Sequence, residues 1–196
     1  MQGHFIYKNL IISQHPNIKK YFEKLIGETK PKQILEIGTA DGGLTLMIRD
    51  ILDEMGMSNT TLRTYDILNP INLKSQNREI EIYHQNLFTY PYDNLVDENI
   101  LQDYISRDGR TIVICDGGSK KNEFRLLSKF LKLDDIIMAH DYAPNEKYFN
   151  ENIKGKIWNW LEIEDSDIDE TCIKYNLHPL YENEFRDVVW VCKIKK

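Results

Sequence analysis

Cysteine is scarce: Cys115, Cys172 and Cys192 are the only three in 196 residues, and no two are spaced C-x-x-C. That excludes a disulfide-stapled scaffold and a thiolate zinc site, and it fits reduced thiols in a cytoplasmic protein. Cys115 and Cys192 fall inside apolar segments, where cysteine acts as a small buried hydrophobe. Positive charge is also short. Lys and Arg number 25 against 31 Asp and Glu, a net charge of −6, so the clustered basic face of a nucleic-acid groove is not expected. No apolar run approaches the ~20 residues that span a bilayer, and the opening MQGHFIYKNLIISQHP lacks the basic start and long apolar core of a secretory leader. Repeats, low-complexity tracts and long linkers are missing too, so the expectation is one domain over residues 1–196, large enough to bury a core.

What is present is an alternation of apolar segments. Ile18, Tyr21, Phe22 and Leu25 share one face of a helix over about 17–27. Strands are expected at 33–38, 61–67, 79–88, 111–116, 135–141 and 187–194, and helices over about 43–55, 92–106, 119–132, 146–161 and 167–176. The run 111-TIVICD-116 is apolar almost throughout, as befits a strand covered on both faces. This order implies an α/β fold, a mostly parallel sheet between two helical layers. Such sheets bind ligands beyond the carboxyl ends of their strands, which puts weight on residues 38–43, Asp66, Asn86, 116–119, His140 and Asp141.

The loop in 33-QILEIGTADGGLTLMI-48 is glycine-rich, yet it is neither GxGxxG nor a P-loop, because Thr39, Ala40 and Asp41 separate Gly38 from Gly42 and no GKS or GKT follows. The turn is tight and its backbone can approach a ligand closely. The carboxylate of Glu36 disfavours a polyphosphate and suits a ligand carrying positive charge. Read one at a time, the loop is only a turn, Asp66 a helix cap ahead of residues 69–77, and Asn86 a turn former.

In order on one sheet edge, they mean more. The pattern E-x-G-x-x-x-G resembles motif I of the class I S-adenosylmethionine (SAM)-dependent methyltransferases, and the run from Ile12 to Leu46 resembles the cephalosporin hydroxylase and macrocin O-methyltransferase group. That resemblance implies a Rossmann-like three-layer α/β/α sandwich with seven strands, the last antiparallel, and an N-terminal helical segment, 1–30, capping the cofactor side. It implies SAM held by Glu36, Gly38, Thr39, Ala40, Gly42, Asp66, Asn86 and Asp116, with Asp66 on the ribose hydroxyls and Asn86, beside Gln85, near the adenine. It also implies Mg²⁺, or Mn²⁺, on Asp116, His140 and Asp141. Two positions depart from the group. His140 stands where a Glu is usual, and Ser119 where a His is frequent.

Two carboxylates on adjacent strand ends suit a hard cation that lowers the pKa of a bound hydroxyl. His140 is the candidate base, since imidazole titrates near neutrality; its alternative is a structural hydrogen bond. Lys120 and Lys121 are expected to face solvent. The acidic run 162-EIEDSDIDE-170 lacks the EF-hand glycine and is expected to be a solvated connection. The expected activity is methyl transfer to a hydroxyl oxygen of a small hydroxyl-rich acceptor, a sugar or glycosylated metabolite. The alternatives are a SAM-binding module without catalysis and an NAD-dependent oxidoreductase. Phe5 and Tyr7 offer a contact for a second subunit.

Overall fold

The computed structural model describes residues 3–76 and 78–196. In chain order the elements are β1 (Phe5–Tyr7), β2 (Leu10–Ile12), α1 (Ile18–Thr29), β3 (Gln33–Ile37), α2 (Gly43–Glu54), β4 (Thr61–Asp66), α3 (Ile71–Lys74), β5 (Glu81–His84), α4 (Glu98–Ile105), β6 (Thr111–Cys115), α5 (Lys120–Leu127), β7 (Ile136–Ala139), α6 (Glu146–Tyr148), α7 (Asp165–Tyr175), β8 (Leu177–Pro179), α8 (Glu182–Arg186) and β9 (Val191–Lys195). The seven-stranded sheet runs β5-β4-β3-β6-β7-β9-β8. The first five of these strands are parallel, and β9 is antiparallel to both its neighbours. This is the Rossmann-like sandwich expected from the sequence, with the last strand reversed.

Both faces of the sheet are covered, which is why its central strands carry almost unbroken apolar runs. Ile34, Leu62, Ile112, Ile114 and Met138 pack with α1, α2 and α8 on one side. Leu35, Val113, Cys115, Ile137 and Ala139 pack with α4, α5 and α7 on the other. The register sets Ile37 opposite both Tyr65 and Cys115, and Cys115 opposite Ala139. Residues 38, 66, 116 and 140 therefore emerge side by side. The order reverses between β3 and β6, and that is where the crevice opens.

Several expectations shift. The segment 1–30 is not wholly helical: β1 and β2 form a hairpin turned by Lys8 and Asn9, both at positive φ. That is a two-residue turn made without the Asn-Gly that usually signals it. Phe5 and Tyr7 pack inward, with Tyr7 Oη donating to Asp50 at 2.8 Å, while Ile6 and Ile11 face out. The strand expected over 79–88 is only β5, because the Asn86 side chain takes the Phe88 N–H and turns the chain. The helix expected from 92 begins at Glu98, capped by Asp97, which accepts from Asn99 N. The helix over 146–161 is α6 followed by a π turn, Phe149–Ile153. A short edge strand, β8, which carries His178, pairs with β9 and has no counterpart among the expected strands. Residues 182–190 form α8 and a turn before β9 begins. Asn77, at the far end of the helix expected over 69–77, lies outside the described residues; α3 covers 71–74. No helix among the described residues is long and apolar enough to cross a membrane.

Candidate functional site

The glycine loop leaves β3 at Gly38 with φ +94°, and a Cβ there would sit 2.2 Å from the Asp116 carbonyl oxygen. Only glycine lets β3 and β6 come this close at their ends. Ala40 also holds a left-handed φ of 49°. Its N–H donates to Asp66 Oδ2 at 2.7 Å. Gly42, at φ +88°, opens α2, and a Cβ there would meet Leu73 at 2.5 Å. Asp41 ties this loop to the hairpin by accepting from Ile11 N at 2.8 Å and from Asn72 Nδ2 at 3.1 Å.

Glu36 lies beneath the loop, fully buried, and lines neither cavity described below. Its Oε2 accepts from Thr45 Oγ1 at 2.5 Å and Thr64 Oγ1 at 2.6 Å, and Thr39 Oγ1 lies 2.6 Å from Thr64 Oγ1. Its Oε1 has no partner among the described residues. Burial pushes the carboxyl up to about 7 despite the two threonine hydrogen bonds, with Asp116 and Asp66 adding to the rise.

A cavity of about 210 Å³ follows the loop, lined by Gly38, Ala40, Asp66, Asn86, Tyr92 and Asp116. A second, of about 240 Å³, lies under the hairpin and is lined by Gln14, Gly38, Thr39, Ala40, Asp41 and Asp116. The two share Gly38, Ala40 and Asp116 in their walls. Asp66 also accepts from Leu68 N at 2.7 Å. Each of its oxygens keeps a lone pair for a vicinal hydroxyl. The turn reading of Asn86 therefore holds alongside its place at the cavity, whereas Asp66 turns the chain at Leu68 without capping α3, whose N-cap is Pro70 with no side-chain hydrogen bond.

Beyond β6 and β7 the arrangement is closed. Asp116 Oδ2 accepts from Gln14 Nε2 at 2.6 Å, and Asp116 Oδ1 lies 3.1 Å from His140 Nδ1. Gln14 Oε1 in turn accepts from Trp190 Nε1 at 2.8 Å. His140 is buried, stacked on the Trp190 ring and tilted against Trp158, with ring centroids 4.9 Å away in each case. Its Nε2 is buried without a partner among the described residues. His140 is thus placed behind Asp116 rather than at a cavity wall. Asp141 Oδ1 accepts from Trp158 Nε1, and Asp141 Oδ2 faces the Lys120 ammonium at 3.0 Å.

Lys120, expected at the surface, is instead drawn inward, its side chain 8% exposed. Lys121 does face solvent. Glu123, which no pattern in the sequence singles out, accepts from Gly117 N at 3.1 Å and Ser119 N at 3.0 Å and holds the loop after β6. Burial raises its carboxyl to about 7 against those two bonds. The acidic run 162–170 is not one solvated connection. Glu164 N donates to Asp167 Oδ2 at 3.0 Å at the start of α7, and Glu162, though exposed, pairs with Lys120 at 3.1 Å. Gln14, Lys120, Trp158 and Trp190 carry no local signal, because each acts through a partner distant in sequence.

Residues and cofactors differ in fit. The loop suits SAM: a glycine cradle with no room for a Cβ and a carboxylate with spare lone pairs. The divalent metal does not fit. Among the described residues no three His, Cys, Asp or Glu side chains are grouped to hold one. Asp116, His140 and Asp141 do come together, but their donors point at Gln14, Trp158, Lys120 and one another.

No family model and no curated protein matches the chain. Solved structures do. CmcI with S-adenosylhomocysteine (SAH) aligns at TM-score 0.63 and 13% identity over 98% of this chain and 83% of that one. The fold is that of the class I O-methyltransferases. MycE from the mycinamycin biosynthetic pathway, in complex with Mg, SAH and mycinamycin VI, aligns at 0.54 and 14% over 92% of this chain and 49% of its own. An O-methyltransferase family protein from Burkholderia thailandensis aligns at 0.57 and 8% over 91% and 55%.

Proposed function

We propose that the protein transfers a methyl group from SAM to a hydroxyl oxygen of a small, hydroxyl-rich acceptor such as a sugar or glycosylated metabolite. The observation that carries this reading is the meeting of two cavities at one carboxylate, Asp116, beside a glycine loop that admits no side chain. When bound, SAM supplies a methyl carbon already activated on a sulfonium. The loop backbone from Gly38 to Gly42 lies along it, Asp66 accepts from the ribose hydroxyls, and Asn86 sits at the base. Glu36 braces the loop from beneath through Thr64 and Thr39.

Asp116 is the group left to take the acceptor proton, with His140 behind it to hold and share that proton. Aligning the hydroxyl and relieving it of its proton is most of what such a displacement needs. Glu162 leads from this edge to a third cavity, of about 480 Å³, where Trp160, 52% exposed, lies beside Asn150 and Asn159. An apolar ring face beside amides and carboxylates suits a ring bearing hydroxyls. The free thiols of Cys115, Cys172 and Cys192 support a reducing, cytoplasmic setting.

Calorimetric titration with SAM, SAH and NADH, followed by radiolabelled methyl transfer to a panel of sugars and glycosides, tests this reading. The expected result is micromolar SAM and SAH binding, no NADH binding, and label on a hydroxyl oxygen. NADH binding in place of SAH would sink it. Tight SAH binding with no transfer to any acceptor would leave only a binding module.

A further inference from the structure

The cluster between β6 and β7 has the charge of a metal centre and already holds a cation. Asp116, Asp141 and Glu162 bring three carboxylates together, and the Lys120 Nζ lies 3.9, 3.0 and 3.1 Å from them. Among the described residues its remaining polar contact is the Gly117 carbonyl oxygen at 3.1 Å. An ammonium has three N–H donors, and Asp141, Glu162 and Gly117 take all three.

Each carboxylate oxygen of the two aspartates already has a protein partner as well. Gln14 and His140 stand on the two oxygens of Asp116, and Trp158 and Lys120 on those of Asp141. Three carboxylates around one ammonium offset the cost of taking its charge out of water.

We propose that the Lys120 ammonium takes the place of a divalent cation at this sheet edge, bracing the loops after β6 and β7 and the Glu162 segment without a metal. Lys120 is a positioning residue: it orients Asp116 and Asp141 and touches no reacting atom. If the methyl-transfer reading holds, a consequence for the acceptor follows. A metal can chelate two vicinal oxygens, whereas a lysine with no free N–H cannot. One hydroxyl delivered to Asp116 is then sufficient, and a neighbouring hydroxyl adds nothing by chelation.

The test is Mn²⁺ uptake by the full chain, followed by the loss of the free-ion electron paramagnetic resonance signal. Wild type is expected to bind none up to about 1 mM, a range in which carboxylate sites of ordinary strength fill. Lys120→Met, which keeps the apolar stem and frees the three carboxylates, is expected to take up one equivalent at least tenfold more tightly than wild type. Lys120→Arg, which keeps the charge, is expected to behave as wild type.

Mn²⁺ binding by wild type that is lost in Asp141→Asn overturns the proposal. So does a folded Lys120→Met, with unchanged circular dichroism, that binds no Mn²⁺. Should Lys120→Met not fold, the wild-type measurement still decides, and EDTA that lowers the wild-type melting temperature counts as the same refutation. SAH affinity of wild type, measured alongside, reports separately on the cofactor loop: its absence would sink the methyl-transfer reading and leave the lysine's role standing.

Discussion

Beyond β3 and β4 a ligand would meet chiefly main chain: the Gly38–Gly42 loop and its N–H groups, with the carboxylate of Asp66 beside it. Beyond β6 and β7 it would meet a knot of side chains drawn from positions 14, 116, 120, 140, 141, 158, 162 and 190. The first half is specified by backbone conformation, which a short stretch of sequence encodes. The second is specified by partners that only the fold brings together. Substitutions should therefore fail differently: in the first half through shape, in the second through charge and proton placement.

The largest effect is expected from Gly38→Ala. The new Cβ would meet a backbone carbonyl at 2.2 Å, in a conformation that L side chains rarely adopt. Strain and overlap each cost on the order of 1–3 kcal/mol, so SAH affinity should fall about 10³-fold, as read by calorimetry. Near-normal binding would mean that the shape of the loop is not what holds the cofactor. The acceptor half should show the opposite signature. Asp116→Asn keeps the side-chain volume and removes the proton acceptor, so turnover should drop about 10²- to 10³-fold while SAH affinity stays within about threefold. Parallel loss of both would merge the two halves into one binding site.

This contrast also explains what the sequence made legible. The strand–glycine–helix pattern, Asp66 and the five parallel strands rest on local periodicity and spacing, and they could be read directly. Asp116, His140 and Asp141 could be placed on the right edge, because strand ends are legible, but their partners could not. Nothing near Gln14 indicates that it reaches residue 116, and nothing near Lys120 indicates that it is buried rather than solvated. The hairpin escaped because Lys8 and Asn9 make a left-handed turn without glycine, and β8 because three residues ending in proline carry little period.

The smallest expected effect is on stability, and it falls on the residue that links the halves. Glu36 sits under the donor loop, but its carboxyl is pushed up to about 7 chiefly by burial, with Asp116 across the edge contributing. A carboxyl raised above its ordinary value of 4.5 holds its proton longer in the folded chain than in the unfolded one. The stability this provides is complete below about 4.5 and is lost as pH rises through about 7. A rise of that size corresponds to about 3 kcal/mol. In Glu36→Gln that share disappears, so unfolding free energy by urea should fall less between pH 5 and pH 8 than in wild type, by up to about that amount. The slope should shrink without vanishing, because Glu123 is raised to about 7 as well and remains. An unchanged slope would mean that Glu36 is already ionised when folded, and then the donor loop would rest on a full negative charge before any cation arrives.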